Sequence, residues 1–282
     1  MQIKIINTQR VLSKTQIGLA EYAINPYRGC EFGCFYCYIK HNKNVENSPD
    51  SLGIKINAPQ ILNKELYYRR PRRVLLGSTT ECFQYKELEY KLTEKILKIL
   101  NCYHIPYTIL TKSHLITSYL PLIANNKKNK IYFTLNFSSD NLIEVFEKKT
   151  PTIKERLKAI RTIKAYNIPL RIHIGPFIPY ICSLKEIVSL VSEIAKEINV
   201  EIYHHKMGNF SEILEIIKRN FGKNMYNKVY TVYESEDNYL RFAKYLQNEI
   251  FLLQKQYNIR FFFILPEFDE YYNLRIDYKD SI

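Results

Sequence analysis

Three cysteines, Cys30, Cys34 and Cys37, fall within eight residues at the spacing C-x3-C-x2-C, inside the stretch from Asn25 to Tyr38 that reads NPYRGCEFGCFYCY. Intervals that short turn three sulfurs toward one point, which suits a metal centre, and an odd number of neighbouring thiols cannot all pair as disulfides. Gly29 and Gly33 offer the positive φ values that such a wrap needs. Cubane iron takes thiolate ligands, and three local thiolates leave the fourth iron for a ligand that is not a protein side chain. A structural zinc knuckle completed by Cys82, Cys102, Cys182 or a histidine would use the same ligand type. Zinc sites of that kind usually come as two C-x2-C hooks, and this chain has no second hook.

The loop resembles the signature of the radical SAM enzymes. That resemblance implies a 4Fe–4S cluster on Cys30, Cys34 and Cys37, with S-adenosylmethionine (SAM) chelating the open iron. Tyr36, the aromatic before the last cysteine, belongs to the same pattern. The flanking Asn-Pro-Tyr-Arg-Gly and the trailing Tyr38 resemble the spore photoproduct lyase-like, or DNA repair photolyase-like, branch of that superfamily. The similarity runs from residue 20 to about residue 206.

At 282 residues, 46% apolar and 24% charged, the chain has the length and composition of one large globular domain and not of a disordered segment. The start, Met-Gln-Ile-Lys-Ile-Ile-Asn, carries no apolar stretch of signal-peptide length. No apolar run approaches the ~20 residues of a membrane helix. Six cysteines, three of them clustered, fit a reducing compartment. The expectation is a cytoplasmic protein with no membrane partner. The net charge of +13 is uneven: residues 1–80 hold 12 Lys/Arg against 5 Asp/Glu, and residues 231–282 hold 6 against 9. A basic amino-terminal part attracts phosphates or simply solvates the surface.

In chain order, Ile3 to Ile6 and Ile17 to Ile24 read as strands, the second feeding the cysteine loop. Lys40 to Gly53 is polar and reads as a surface loop. A helix begins at Asn57-Ala58-Pro59 and runs to Arg69-Arg70-Pro71-Arg72-Arg73, where Pro71 stops it. Arg69, Arg70, Arg72 and Arg73 are candidates for phosphate contacts with nucleic acid. From Val74 strands and helices alternate: strands at 74–77, 107–111, 131–136, 170–174 and 200–205, helices at 86–100, 113–124, 141–148, 153–166, 184–198 and 211–220. Such repeats predict parallel strands with helices outside, and the resemblance independently implies a partial (β/α)6 radical SAM barrel. Asn238 to Tyr257 is amphipathic, Arg260 to Leu265 is strand-like, and Glu267 to Ile282 is acidic and rich in Tyr. The α/β barrel is therefore expected over 1–208, with a C-terminal α+β extension over 209–282 that packs on it or closes it.

Reactive groups of a parallel α/β barrel sit at the carboxyl ends of its strands. After Leu76 comes Gly77-Ser78-Thr79-Thr80-Glu81, which resembles the family's Gly-Thr-x-Thr-Asp-x-Tyr-Gln-Pro-x-Glu; Gln84 and Glu87 match it, and Glu81 stands where Asp is usual. Ser78, Thr79 and Glu81 are candidate SAM contacts, with helix capping as the alternative. Thr111-Lys112-Ser113 resembles the family's Thr-Lys-Ser, and Lys112 is a candidate for the SAM carboxylate. Thr134 and Asn136 share one face of their strand by the period of two and are candidates for the ribose or methionyl end. Arg171 and His173 alternate with Ile172 and Ile174, so His173 is a candidate substrate contact, and Pro176 follows in the Gly-Pro step that lies beside the adenine in the family.

The lyases use a cysteine as hydrogen donor, in a segment reading Ala-Cys-Thr-Ser-Asp. Here Ser78 takes that place, and Cys82, four residues on, is the alternative donor. The expected function is reductive cleavage of SAM to a 5′-deoxyadenosyl radical that abstracts hydrogen from a substrate, with an electron donor such as ferredoxin or flavodoxin as partner. The substrate is open: nucleic acid, or a peptide or small molecule. A non-enzymatic iron–sulfur or zinc protein that binds nucleic acid, and a purely structural metal knuckle, are the rival readings.

Overall fold

Runs of Ile, Val, Leu and aromatic residues become strands because both faces of each run can be buried, as parallel sheets require. The computed structural model describes residues 1–41, 51–207, 209–266 and 276–277. They gather into two compact units. The first comprises Met1–Gly33, Asn44–Phe133 and Lys149–Leu170, and the second Cys34–Lys43, Thr134–Lys148 and Arg171–Ile282.

The first unit contains β1 (Gln2–Ile6), β2 (Ser13–Lys14), β3 (Tyr22–Ile24), β4 (Tyr27–Arg28), β5 (Ser51–Lys55), β6 (Val74–Leu76) and β7 (Tyr107–Thr111), and most of β8 (Lys130–Thr134). Strands β1, β5 and β4 form a small sheet in that order, and β2-β3-β6-β7-β8 form a larger one. The β3–β6, β6–β7 and β7–β8 pairs are parallel, and the short β2 joins β3 antiparallel. Val74, Leu75, Leu76 and Ile109 are fully buried. Helices Ala58–Tyr68, Leu92–Cys102 and Ile153–Ala165 connect the strands. The last is fixed by a capping box in which Thr152 and Glu155 satisfy each other's backbone.

The second unit contains β9 (Leu170–Phe177), β10 (Glu197–Ile202), β11 (Arg260–Ile264) and β12 (Ile276–Asp277). The β9–β10 and β10–β11 pairs are parallel, and β12 is antiparallel to β11. Ile172, Ile174, Ile198, Val200, Ile202, Phe261 and Phe263 make the buried face. Helices Asp140–Phe146, Leu184–Val191, Phe210–Glu234 and Glu236–Tyr257 belong to this unit. Helix-linked parallel strands in both units make the chain α/β with a mostly parallel sheet, the architecture of a partial barrel. No strand pairing among the described residues closes it.

Several boundaries differ from expectation, each for a local reason. The polar stretch from Lys40 contains β5 at its end, because Leu52 and Ile54 are buried against β1 and β4; residues 42–50 lie outside the described set. The run Ile17–Ile24 is a strand only from Tyr22. Lys91 takes a left-handed φ of 51° and splits the expected 86–100 helix into Glu87–Tyr90 and Leu92–Cys102, so Leu88 is exposed. The 113–124 segment begins as a 3-10 turn, and an α-turn starts at Leu120, where Pro121 fits the first turn. The 184–198 helix stops at Val191, and β10 begins at Glu197. The expected division at 208/209 falls on Gly208, and most of the acidic 267–282 tail also lies outside the described residues.

Candidate active site

In the first unit, β3 ends at Ile24 and delivers the segment from Asn25 onward along the loop that follows β6. That loop turns on Gly77, whose φ is 83°, and an added Cβ there would lie 2.5 Å from the Leu110 carbonyl oxygen. Only glycine allows both the conformation and the approach. The two segments are joined rung by rung. Asn25 Nδ2 donates to Ser78 Oγ (3.1 Å), and Asn25 Oδ1 accepts from the Thr79 amide (3.1 Å). Tyr27 donates its hydroxyl to Glu87. The Glu31 amide donates to Gln84 Oε1 (2.9 Å), and the Glu31 carboxylate accepts from the Lys86 amide (2.7 Å). Phe32 meets the Tyr85 ring edge-on at 5.7 Å. The residues that carry the family resemblance, Asn25, Tyr27, Gln84 and Glu87, are thus the ones that hold the start of the cysteine loop.

Glu87 also accepts from the Thr93 and Glu94 amides (2.9 and 3.0 Å), capping the Leu92–Cys102 helix, while burial raises its pKa. Glu81 is similarly committed. Its carboxylate accepts from the Phe83 amide (2.9 Å), Thr111 Oγ1 (2.7 Å) and the Lys112 amide (3.0 Å). It fixes the carboxyl end of β7 and hence the backbone from which Lys112 projects. Burial raises its pKa against those hydrogen bonds. Ser78, Thr79 and Lys112 are partly exposed. Cys82 is fully buried, and desolvation, then Glu81, Glu87 and Cys30, push its thiol well above the ordinary range.

In the second unit, Tyr36 donates its hydroxyl to Glu147, which is completely buried. Asn136 Nδ2 donates to the same hydroxyl (2.8 Å) and to Glu147 Oε1 (3.2 Å), and Asn136 Oδ1 accepts from the Gly175 amide (2.8 Å). Tyr36 and Asn136 therefore hold the loop to the end of β8 and to β9. The Phe35 amide donates to the Phe146 carbonyl (3.0 Å), and Asn209 Nδ2 donates to the Phe35 carbonyl (3.1 Å). Thr134 is buried and Pro176 partly exposed. Cys182 Sγ accepts from the Ile178 amide (3.2 Å), and burial pushes its pKa up to about 12, so it serves the structure of its turn.

The face of β9 and β10 opposite the apolar one is polar, and on β11 the same face carries Arg260 with Phe262 and Ile264. Arg171 pairs with Glu197 at 2.7 Å, Arg260 pairs with the same carboxylate, and both guanidinium groups lie over the Phe262 ring. His173 Nδ1 contacts Asn199 Nδ2 at 3.2 Å, and His173 Nε2 lies 3.8 Å from Glu201. A Cβ on Gly175 would lie 2.3 Å from His173 Nε2, so glycine is what lets the imidazole lie along its own strand. Desolvation raises Glu201 to about 7 although 37% of its side chain is open to solvent. Asn199 and Glu201 were not visible as site residues because the expected boundary between helix (184–198) and strand (200–205) fell between Glu197 and Glu201, whereas β10 begins at Glu197; the alternation Glu197, Asn199, Glu201 was the available signal.

The arginines stand elsewhere. Arg69 to Arg73 precede β6, at the strand end opposite Ser78 and Thr79. Arg73 is bound to the Lys128 carbonyl (2.9 Å), the Tyr107 carbonyl (3.3 Å) and Thr108 Oγ1 (3.4 Å). Arg72 pairs with Glu21 at 3.1 Å, Arg70 lies over the Tyr103 ring, and Arg69 is exposed.

No two of the six cysteines are joined in a disulfide. Cys30 and Cys37 are half-buried, Cys34 is buried, and the Cys37 amide donates to the Cys34 carbonyl (3.1 Å). Among the described residues no group of three His, Cys, Asp or Glu side chains is gathered closely enough to hold a single metal ion. A cubane does not ask for that, since each thiolate binds a different iron. Thr80 Oγ1 and Gln84 Nε2, beside the loop in the first unit, are buried without a hydrogen-bond partner. Within that unit the Cys30 thiol and these spare buried donors fit a sulfur-rich anionic group. No described helix is long and apolar enough to cross a membrane.

Residues 24–191 match the model of the radical SAM superfamily. An uncharacterized protein of Methanocaldococcus jannaschii is 25% identical over 77% of this chain and 87% of its own length. An uncharacterized protein of Mycobacterium bovis is 32% identical over 56% of this chain, and the match spans only half of that relative. Among solved structures, a spore photoproduct lyase mutant superposes with a TM-score of 0.59 at 18% identity, covering 78% of this chain and 66% of the lyase chain. Another lyase mutant, with bound AdoMet and dinucleoside spore photoproduct, gives a TM-score of 0.56 at 17% identity with the same coverage. At these identities the likeness is one of fold.

Proposed function

Because the chain belongs to the radical SAM superfamily, we propose that Cys30, Cys34 and Cys37 hold a 4Fe–4S cluster and that this enzyme opens SAM reductively to act on a substrate by hydrogen abstraction. The observation that carries the reading is the set of rungs binding the segment 25–32 to 78–87, which presents the start of the three-cysteine loop in a fixed conformation. When bound, the reduced cluster supplies the electron that cleaves SAM to methionine and a 5′-deoxyadenosyl radical. Ferredoxin or flavodoxin is the class of donor for that electron, and a reducing cytoplasm suits both.

The chain's own groups divide into two sorts. Ser78, Thr79, Lys112, Thr134 and Pro176 contact SAM, with Lys112 as the cation for its carboxylate. Glu81, Tyr36 and Asn136 are positioning residues whose polar atoms hold backbone and loop in place. The polar face bearing His173, Asn199 and Glu201 meets the substrate, and the extension over 209–282 helps to keep water from it.

Anaerobic reconstitution tests the reading. About four irons and four sulfides per chain, a reducible cubane signal in electron paramagnetic resonance, and slow formation of 5′-deoxyadenosine from SAM under dithionite are expected. Replacing Cys30, Cys34 or Cys37 with Ala should abolish all three, and Cys102→Ala and Cys182→Ala should leave them. A signal that survives the loop substitutions would overturn the assignment.

A further inference from the structure

Gln84 is fully buried and half satisfied. Its Oε1 accepts from the amide of Glu31, the residue that follows Cys30, at 2.9 Å. The carboxylate of Glu31 returns the contact by accepting from the Lys86 amide at 2.7 Å, and the Tyr85 ring packs on Phe32. These contacts hold the amide group of Gln84 against the backbone of the cysteine loop and assign its two ends: the oxygen is spoken for, so the –NH2 is the other end. That Nε2 has no hydrogen-bond partner. A buried amide donor left unpaired costs on the order of 1–3 kcal/mol, and Glu31 alone would be satisfied by any acceptor of that length. An acceptor that arrives at Nε2 would remove that cost.

We propose that Gln84 Nε2 donates to a sulfur at the Cys30 corner of the cluster, making Gln84 a positioning residue that also sets the cluster's reduction potential. The inference rests on the cluster reading given above. A hydrogen bond to cluster or thiolate sulfur stabilises the more negative, reduced state, and so raises the potential. Gln84 would thus do two things with one side chain: its oxygen fixes the loop backbone, and its nitrogen makes the cluster easier to reduce.

The test is spectroscopic and needs no substrate. In reduced, reconstituted protein carrying 15N in its glutamine side chains, pulsed electron paramagnetic resonance should show a 15N coupling to the cluster, together with a coupled proton lost in D2O. Both should vanish in Gln84→Glu, which keeps the acceptor for the Glu31 amide. The midpoint potential should fall in that variant and also in the neutral Gln84→Met, which separates the lost donor from the added charge. A cluster that assembles in the wild type but shows neither coupling overturns this inference alone, whether or not the variants fold. Unchanged potentials in both variants overturn it too. Failure of the wild type to assemble any cluster overturns the reading beneath it as well.

Discussion

Glu201 is a partly desolvated carboxyl, with 37% of its side chain still open to solvent, and its pH behaviour follows from that desolvation. An unfolded glutamate loses its proton near about 4.3, whereas burial raises Glu201 in the folded chain to about 7. Between those values the folded state binds one proton more than the unfolded state, so stability falls as pH rises. The loss should be complete above about pH 7 and absent below about pH 4. Glu201→Gln, which stays neutral, should remove this dependence, so denaturant unfolding at pH 5 and pH 8 should show the variant gaining on the wild type at the higher pH. Equal differences at both values would mean that Glu201 is better solvated than its surroundings indicate. Lys112 makes a second case at this scale. Its backbone is pinned by Glu81, which fixes the point from which the ammonium reaches a carboxylate. Lys112→Ala should weaken SAM binding by about 1.5–3 kcal/mol, the usual worth of a charge-assisted contact, as read by calorimetry on reconstituted protein. Unchanged affinity would remove Lys112 from the site.

Elements bring out what a sequence pattern can and cannot say. Helix Phe210–Glu234 is interrupted at Gly222, where φ is 83° and ψ 169°, a combination that only glycine adopts without strain. No atom lies within 4 Å of the place an added Cβ would take, so sterics with neighbours would allow alanine. Gly222→Ala should nevertheless destabilise the fold by roughly 1–3 kcal/mol, from backbone strain alone, measurable by urea unfolding; a neutral substitution would mean that the helix straightens through that point. The cysteine loop, the parallel strands and the polar groups at their ends were legible because spacing and period-two alternation are local. The rungs were not, because nothing in the spacing of Asn25 and Ser78, or of Tyr36 and Glu147, says that they meet. Residues that resemblance marks as shared, such as Gln84 and Glu87, became intelligible only as partners of Glu31 and Tyr27. The end of the Leu184–Val191 helix was missed for the opposite reason: Ile187, Val188 and Val191 continue smoothly into Ala195 and Ile198, and the change of period from helix to strand falls within a continuous apolar pattern.

For the molecule as a whole, the fold is shared with spore photoproduct lyase, so the sharpest question is whether the reaction is shared too. A lyase of that kind needs a weak S–H bond within reach of the substrate radical. At the position that corresponds by resemblance stands Ser78, whose O–H bond is too strong to quench a carbon radical, and whose oxygen is engaged by Asn25. Cys82 is the nearest thiol in sequence, but it is fully buried and packs where Gly77 leaves room, with its sulfur 3.5 Å from the position of an added Cβ. Releasing it would mean dismantling the turn that Glu81 and Thr93 hold, since Thr93 Oγ1 donates to the Cys82 carbonyl at 2.6 Å and the Glu81 carboxylate accepts from the Phe83 amide. Reduced enzyme with SAM and dinucleoside spore photoproduct should therefore give 5′-deoxyadenosine without efficient conversion to thymidylyl-thymidine. Chromatography of the products decides it. Efficient conversion by the wild type that is lost in Cys82→Ala would show that this thiol reaches the substrate, and the buried placement of Cys82 would then have to open during turnover.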